Sequence, residues 1–143
     1  MDIIVDTREQ KPLWVNNVIR YGLLVGDYTT MKLRHCFAIE RKSPMDLYGS
    51  IIQGHVRFRN EMIRAEVNEI KLVVVVECSK KTFVGKKFPG AKRLQCEGET
   101  LRKIIETIEK RYKLEVIWCC GRRGAKQIIL QRLKKEERKV KRK

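Results

Sequence analysis

The sequence predicts a layered α/β domain, and three observations carry the prediction. Leu72 to Val76 is an unbroken apolar, mostly β-branched run, the mark of a strand covered on both faces. An amphipathic helix, a short apolar strand and a second amphipathic helix follow it, an order that stacks helices on a sheet. The chain has 143 residues, 43% of them hydrophobic, which suffices for one domain with a core of its own.

In chain order, Asp2 to Val5 is a short apolar strand that ends at Asp6. Between Lys11 and Gly22, the apolar Trp14, Val15, Val18, Ile19 and Tyr21 are bracketed by Pro12 and Gly22, which predicts a short helix or helical turns. Gly26-Asp27-Tyr28 is a polar turn, and the apolar-rich run His35 to Ile39 delivers Glu40-Arg41-Lys42. A hairpin over residues 28–39 would bring Asp27 beside Glu40. Ser43-Pro44-Met45-Asp46 reads as a helix start, with Ser43 as N-cap, Pro44 at N1 and Asp46 at N3. That helix runs through Leu47 and Ile51-Ile52 and stops near Gly54. A second, from about Val56 to Ile70, places Phe58, Met62 and Ala65 on one stripe and Ile63, Val67 and Ile70 on another. Arg57, Arg59 and Arg64 fall mostly off those stripes.

Ser79 to Gly98 is the long stretch without clear periodicity, and long loops in compact domains tend to be functional or disordered. It carries Lys80, Lys81, Lys86, Lys87, Lys92 and Arg93, with Phe83 and Phe88 interleaved. Cations beside aromatic rings suit a surface that tracks a nucleic-acid strand, phosphates on the charges and bases on the rings. The alternative is a solvated loop anchored by its phenylalanines. Glu99 to Tyr112 is a third long helix, with Leu101, Ile104, Ile105, Ile108 and Tyr112 on its apolar face. Leu114 to Cys120 is the next strand. Arg122 to Arg138 is the last helix, buried along Ala125, Ile128, Ile129 and Leu133. The domain proper is expected over 1–133, with 134–143 a frayed basic tail; from Arg132 onward eight basic residues face two acids.

The formal charge of +16 and a pI near 10.0 point to a polyanionic partner, nucleic acid first. A membrane surface is the rival, but no run of about 18 apolar residues spans one. The N-terminus lacks the basic region of a secretory signal. Five cysteines, without a C-x-x-C pair, and His35 and His55 outside ligand spacing give no zinc framework. A reduced, intracellular protein is the expectation.

Candidate chemistry gathers between Val25 and Asp46. Side chains alternate along a strand, so Glu40 and Lys42 share one face, roughly 6–7 Å apart, while Arg41 points the other way. Asp27 and Glu40 together would hold a hard divalent ion such as Mg²⁺ or Mn²⁺, and Lys42 would steady a phosphate. The bland alternative is a solvated charge cluster.

The motifs V-D-x-R-E (Val5 to Glu9), V-G-D-Y (Val25 to Tyr28) and I-E-R-K-x-x-x-D-L (Ile39 to Leu47) resemble the XPF family of structure-specific endonucleases. The last matches the family's nuclease signature at every defined position, and the resemblance extends to about residue 138. It implies a restriction-endonuclease-like, three-layer α/β core with a mixed central sheet flanked by helices. It also implies divalent-metal cleavage of DNA near branches, flaps or forks, as in repair or recombination, leaving 5′-phosphate and 3′-hydroxyl ends.

The same resemblance puts Asp6 and Glu9 at the edge of the active site with Arg8 close by; an ion pair of Arg8 with either acid is the structural alternative. Arg41 is expected to be structural or phosphate-positioning, and Asp46 to combine a helix-start role with support of the metal site. The family has a Gly-Arg pair where this chain reads Gly54-His55-Val56-Arg57, so Arg57 is the candidate for that arginine's place; His55 stays outside the catalytic set. Homo- or heterodimerisation through the C-terminal helices is a further family expectation. Full-length relatives add a tandem helix-hairpin-helix domain, for which no chain remains here. The competing reading is a non-catalytic DNA-binding scaffold of the same fold, but such subunits usually lack the acids that this motif retains. A basic RNA-binding protein would explain the charge and leave the spacing of Asp27, Glu40 and Lys42 unexplained.

Overall fold

The structure, a computed structural model, describes residues 1–141. Six strands form one mixed sheet: β1 (Ile3–Asp6), β2 (Ile19–Tyr21), β3 (Tyr28–Thr30), β4 (Phe37–Lys42), β5 (Lys71–Val76) and β6 (Glu115–Trp118), in the order β2-β1-β3-β4-β5-β6. β3 runs antiparallel to β1 and β4, while β1–β2, β4–β5 and β5–β6 pair in parallel. The two parallel steps β4–β5–β6 are spanned by helices, as parallel crossovers require.

β5 shows why the sheet needs covering on both sides. Val73 to Val76 are fully buried, with Val74 and Val76 on one face and Val73 and Val75 on the other. Burying each such side chain stabilises the fold by roughly 1.5–3 kcal/mol. On the first face lie α1 (Pro44–Ile52), α2 (His55–Val67), α3 (Lys80–Val84) and α4 (Gly98–Tyr112), contributing Leu47, Phe58, Met62, Phe83, Leu101 and Ile105. On the second, α5 (Gly121–Lys141) packs Ala125, Ile129 and Leu133 against Val5, Tyr28 and Ile39. The result is the three-layer α/β arrangement that the motifs imply. No helix among the described residues is long and apolar enough to cross a membrane.

Local expectations hold for α1, whose Ser43 Oγ accepts the Asp46 amide at 3.1 Å with Pro44 in the first turn. Three others are corrected. Residues 11–22 form no helix: Asn17 adopts a left-handed φ of 57°, and the chain continues into β2, an edge strand parallel to β1. Trp14 packs edge-on against Tyr28 at 5.5 Å, so its apolar neighbours answer to tertiary contacts rather than to a helical stripe. Residues 79–98 are not a featureless loop; they hold α3 and a 3₁₀ turn, Ala91–Arg93, with Phe83 and Phe88 stacked and buried.

The segment from 134, expected to fray, continues α5 to Lys141. Glu136 joins Arg132 at 2.9 Å and Lys139 at 3.1 Å, ion pairs at i,i+4 and i,i+3 that support the helix. Glu136 and Glu137 are themselves buried. The last two residues of the expected tail, 142 and 143, lie outside the described residues.

Candidate active site

The turn that carries Asp27 is pressed onto β4 by a glycine. Gly26 has a φ of +77°, and a Cβ there would meet Ala38 Cβ at 3.0 Å and the Ile39 carbonyl oxygen at 3.1 Å. Without a side chain the backbone closes in, and the Asp27 amide donates to the Ile39 carbonyl at 2.8 Å. Asp27 Oδ2 then accepts the Arg41 amide at 2.7 Å. Asp27 is thereby fixed beside the strand segment that bears Glu40, thirteen positions along the chain.

β4 sorts its charges by face. Glu40 and Lys42 are in register with Val74 and Val76, on the side of α1 and α2. Glu40 is buried, 8% exposed. Arg41 points to the opposite face, where it forms a bidentate pair with Glu9 (both contacts 2.9 Å) and a second ion pair with Glu77. Tyr28 Oη donates to Glu9 at 3.0 Å and accepts the Leu13 amide at 2.9 Å. Burial would raise the Glu9 carboxyl, but the Arg41 hydrogen bonds and charge outweigh it and hold Glu9 below its ordinary value. Glu9 and Arg41 therefore belong to a buried polar network behind the strand, on the opposite face from Glu40 and Lys42.

Asp6, 2% exposed, is a hub for backbone rather than an open ligand. It accepts from the Arg8 amide, from Arg8 Nε at 3.0 Å and from the Leu23 amide at 2.7 Å, while Arg8 Nη2 reaches the Leu23 carbonyl at 2.7 Å. The Asp6 amide donates to the Asp27 carbonyl at 2.8 Å. The ion pair of Arg8 with Asp6 is thus the geometry found, and it braces the 23–27 turn.

A third carboxylate reaches the Asp27–Glu40 pair from α2. Glu61 Oε2 accepts the Gly26 amide at 3.1 Å, and its carboxyl lies within hydrogen-bonding reach of Glu40, as does that of Asp27. Burial, followed by the charges of Asp27 and Glu61, pushes the Glu40 carboxyl well above its ordinary range. Burial raises Asp27 too, against the lowering effect of its hydrogen bonds to Glu40 and the Arg41 amide.

Among the described residues, no carboxylate comes within ion-pair distance of Lys42. Its ammonium rests 5.7 Å from the centre of the Phe58 ring. Asp46 is exposed in the first turn of α1, and Arg57 is exposed on α2. In the basic segment, Lys80 approaches Glu106 at 4.0 Å and Lys86 Nζ donates to the Leu94 carbonyl at 2.6 Å, so both are engaged internally. Lys81, Lys87, Lys92 and Arg93 are exposed. The buried phenylalanines anchor the segment and are unavailable for stacking on bases. A Cβ on Gly90 (φ +84°) would lie 2.6 Å from Met45 Cε, which places the 86–93 stretch against the start of α1, next to Lys42.

A family model described as the ERCC4 domain matches residues 5–131, most of the chain. The chain belongs to the ERCC4 domain family. Its fold is similar to that of "XPF from Aeropyrum pernix", with a TM-score of 0.73, 18% identity, and coverage of 99% of this chain and 67% of that one. The same protein "complex with DNA" gives a TM-score of 0.71 at 19% identity, covering 96% and 65%. The chain spans about two thirds of the length of those structures. Comparison with curated protein sequences returns no match.

For this ERCC4 domain, the donor chemistry fits a hard divalent ion. Asp27 and Glu40 offer oxygen only, side by side and without a cation beside them. Among the described residues, no group of three or more His, Cys, Asp or Glu side chains is arranged to hold an ion. The protein's share is two carboxylates, which suits Mg²⁺, an ion that keeps several waters. The sequence reading missed Glu61. Its one trace there is an acid next to the Phe58–Met62–Ala65 stripe of a helix otherwise rich in arginine, and nothing local says that Gly26 and Glu40 lie opposite.

Proposed function

We propose that this ERCC4 domain is a divalent-metal-dependent DNA endonuclease acting at branched, flap or fork structures in repair or recombination. The observation that carries the reading is one strand face bearing Glu40 and Lys42, with Asp27 locked against it by the Arg41 amide. Asp27 and Glu40 would hold Mg²⁺ or Mn²⁺, which when bound supplies Lewis-acid activation of water and charge compensation at the attacked phosphodiester. Lys42, resting on Phe58 with no carboxylate in ion-pair range, presents its ammonium to the phosphate oxygens. Asp46 has a supporting place one turn into α1. Asp6 and Arg8 act through the turn that they brace, and Glu9 and Arg41 through the register of β4.

DNA enters the reading through the charge of +16 and through the exposed Lys81, Lys87, Lys92 and Arg93, with Arg57 on the neighbouring helix. The preference for branches rests on the family alone. Self-association through α4, β6 and α5, and an intracellular setting suited to five free thiols, complete the proposal; β6 is an open edge of the sheet. The test is purified protein with Mg²⁺ or Mn²⁺ on end-labelled single-stranded, duplex, flap, fork and four-way DNA. Cleavage by the wild type, abolished in Asp27→Asn, is the expected result; a wild type inert on every substrate would end the nuclease reading.

A further inference from the structure

α2 grips the Asp27 turn with two side chains one helical turn apart. Arg64 Nε donates to the Leu24 carbonyl at 2.8 Å, and Glu61 accepts the Gly26 amide at 3.1 Å. The arginine contact is an ordinary tether. The glutamate contact is different, because the same carboxyl also reaches Glu40. A half-buried acid set beside two others, with no basic side chain of the described residues in ion-pair range, is electrostatically unfavourable for the empty domain. A neutral glutamine or serine would hold the Gly26 amide at no such cost.

We propose that Glu61 is the positioning residue of the acid pair: anchored on the Gly26 amide, it fixes the direction of the Glu40 carboxyl so that Glu40 and Asp27 present oxygens to one ion. Glu61 itself is not a ligand, in keeping with the absence of a three-acid ion site among the described residues. Carboxylates that hold metal ions are themselves held by hydrogen bonds, and loss of such a partner typically weakens the ion by roughly 10- to 100-fold. This inference rests on the metal-dependent reading above and adds a residue outside the D-Y and E-R-K motifs.

The geometry separates three variants. Glu61→Gln can still accept the Gly26 amide through its carbonyl and can donate to Glu40 through its amide, so both contacts survive without the charge. Glu61→Ala loses both. Arg64→Ala removes the other tether to the turn and leaves Glu40 untouched.

The experiment is titration calorimetry of Mn²⁺ into the DNA-free, full-length protein, with thermal melting of each variant alongside. Expected is an affinity loss of roughly 10- to 100-fold for Glu61→Ala, with near wild-type affinity for Glu61→Gln and Arg64→Ala. Wild-type affinity in Glu61→Ala overturns the inference while the metal reading stands. An equal loss in Glu61→Gln also overturns it, because the charge and not the positioning would then matter, and so does an equal loss in Arg64→Ala. If Glu61→Ala does not fold, Glu61→Gln against Arg64→Ala still decides. A wild type that binds no Mn²⁺ overturns the metal reading and this inference with it.

Discussion

The backbone amide of Arg41 donates to Asp27 Oδ2 at 2.7 Å, so one candidate ligand is hydrogen-bonded to the strand that presents the other. Because the amide belongs to Arg41 and its side chain goes to the far face, one residue locks both sides of β4. Its NH sets Asp27, and its guanidinium joins Glu9 and Glu77 behind the strand. The candidate site is thereby built from backbone register, which a side-chain substitution at Asp27 would leave largely intact.

Neighbours in sequence should therefore respond in opposite ways. Arg41→Met strands two carboxylates in a buried setting and is expected to cost roughly 3–5 kcal/mol. Lys42→Ala gives up only its place over the Phe58 ring and should cost less than about 1 kcal/mol, while cleavage falls by roughly 10²- to 10³-fold. Urea unfolding of both variants, set beside their cleavage rates, measures the separation; equal stability losses would place Lys42 in the structural network.

Two glycines offer a second contrast. Gly26→Ala must take a left-handed backbone at a cost of about 1–2 kcal/mol, and its Cβ meets Ala38 and the Ile39 carbonyl at 3.0–3.1 Å. It should lower both stability and Mn²⁺ affinity. Gly49 sits inside α1 with nothing within 4 Å of a built Cβ, so Gly49→Ala should gain about 0.5–1 kcal/mol. Denaturant midpoints distinguish the two signs.

The acid pair predicts a pH effect with a defined sign. A carboxyl raised in the folded state binds its proton more tightly there than in the unfolded chain. Its contribution is complete below the ordinary carboxylate value and is lost as pH rises through the folded value. Glu40 is such a group, from 4.5 upward. Glu9 and Glu136, both lowered, act oppositely as pH falls, so the comparison must be made against a variant. Glu40→Gln should stabilise the metal-free protein relative to wild type, increasingly from pH 5 toward pH 8, and saturating Mg²⁺ should erase that advantage. Thermal melting across pH, with and without the ion, tests it.

The basic segment predicts a salt effect. Removing Lys87, Lys92 and Arg93 together should weaken DNA binding and flatten its salt dependence. The log–log slope should fall by about 0.9 for each duplex phosphate no longer neutralised, or by about 0.7 for each single-strand phosphate. Lys86→Ala should instead loosen the 86–94 stretch, since its ammonium holds the Leu94 carbonyl. Fluorescence anisotropy at several salt concentrations separates the two, and an unchanged slope in the triple variant removes the segment from the DNA-binding surface.

Patterns within a few residues were legible in the sequence by itself. The α1 cap at Ser43 and Pro44, the doubly buried Val73–Val76 and the alternation that puts Glu40 with Lys42 against Arg41 all follow from periods and caps set by the local backbone. The order of helices and strands, and with it the layered fold, came from the same signals. What surrounds the acids was decided only in three dimensions. Asp6 turned inward to Leu23, Glu9 went to Arg41, Phe83 and Phe88 entered the core, and Glu61 crossed 35 positions to Gly26. A charged side chain takes whichever partner packing brings within about 3 Å, and that partner is fixed by how the sheet closes.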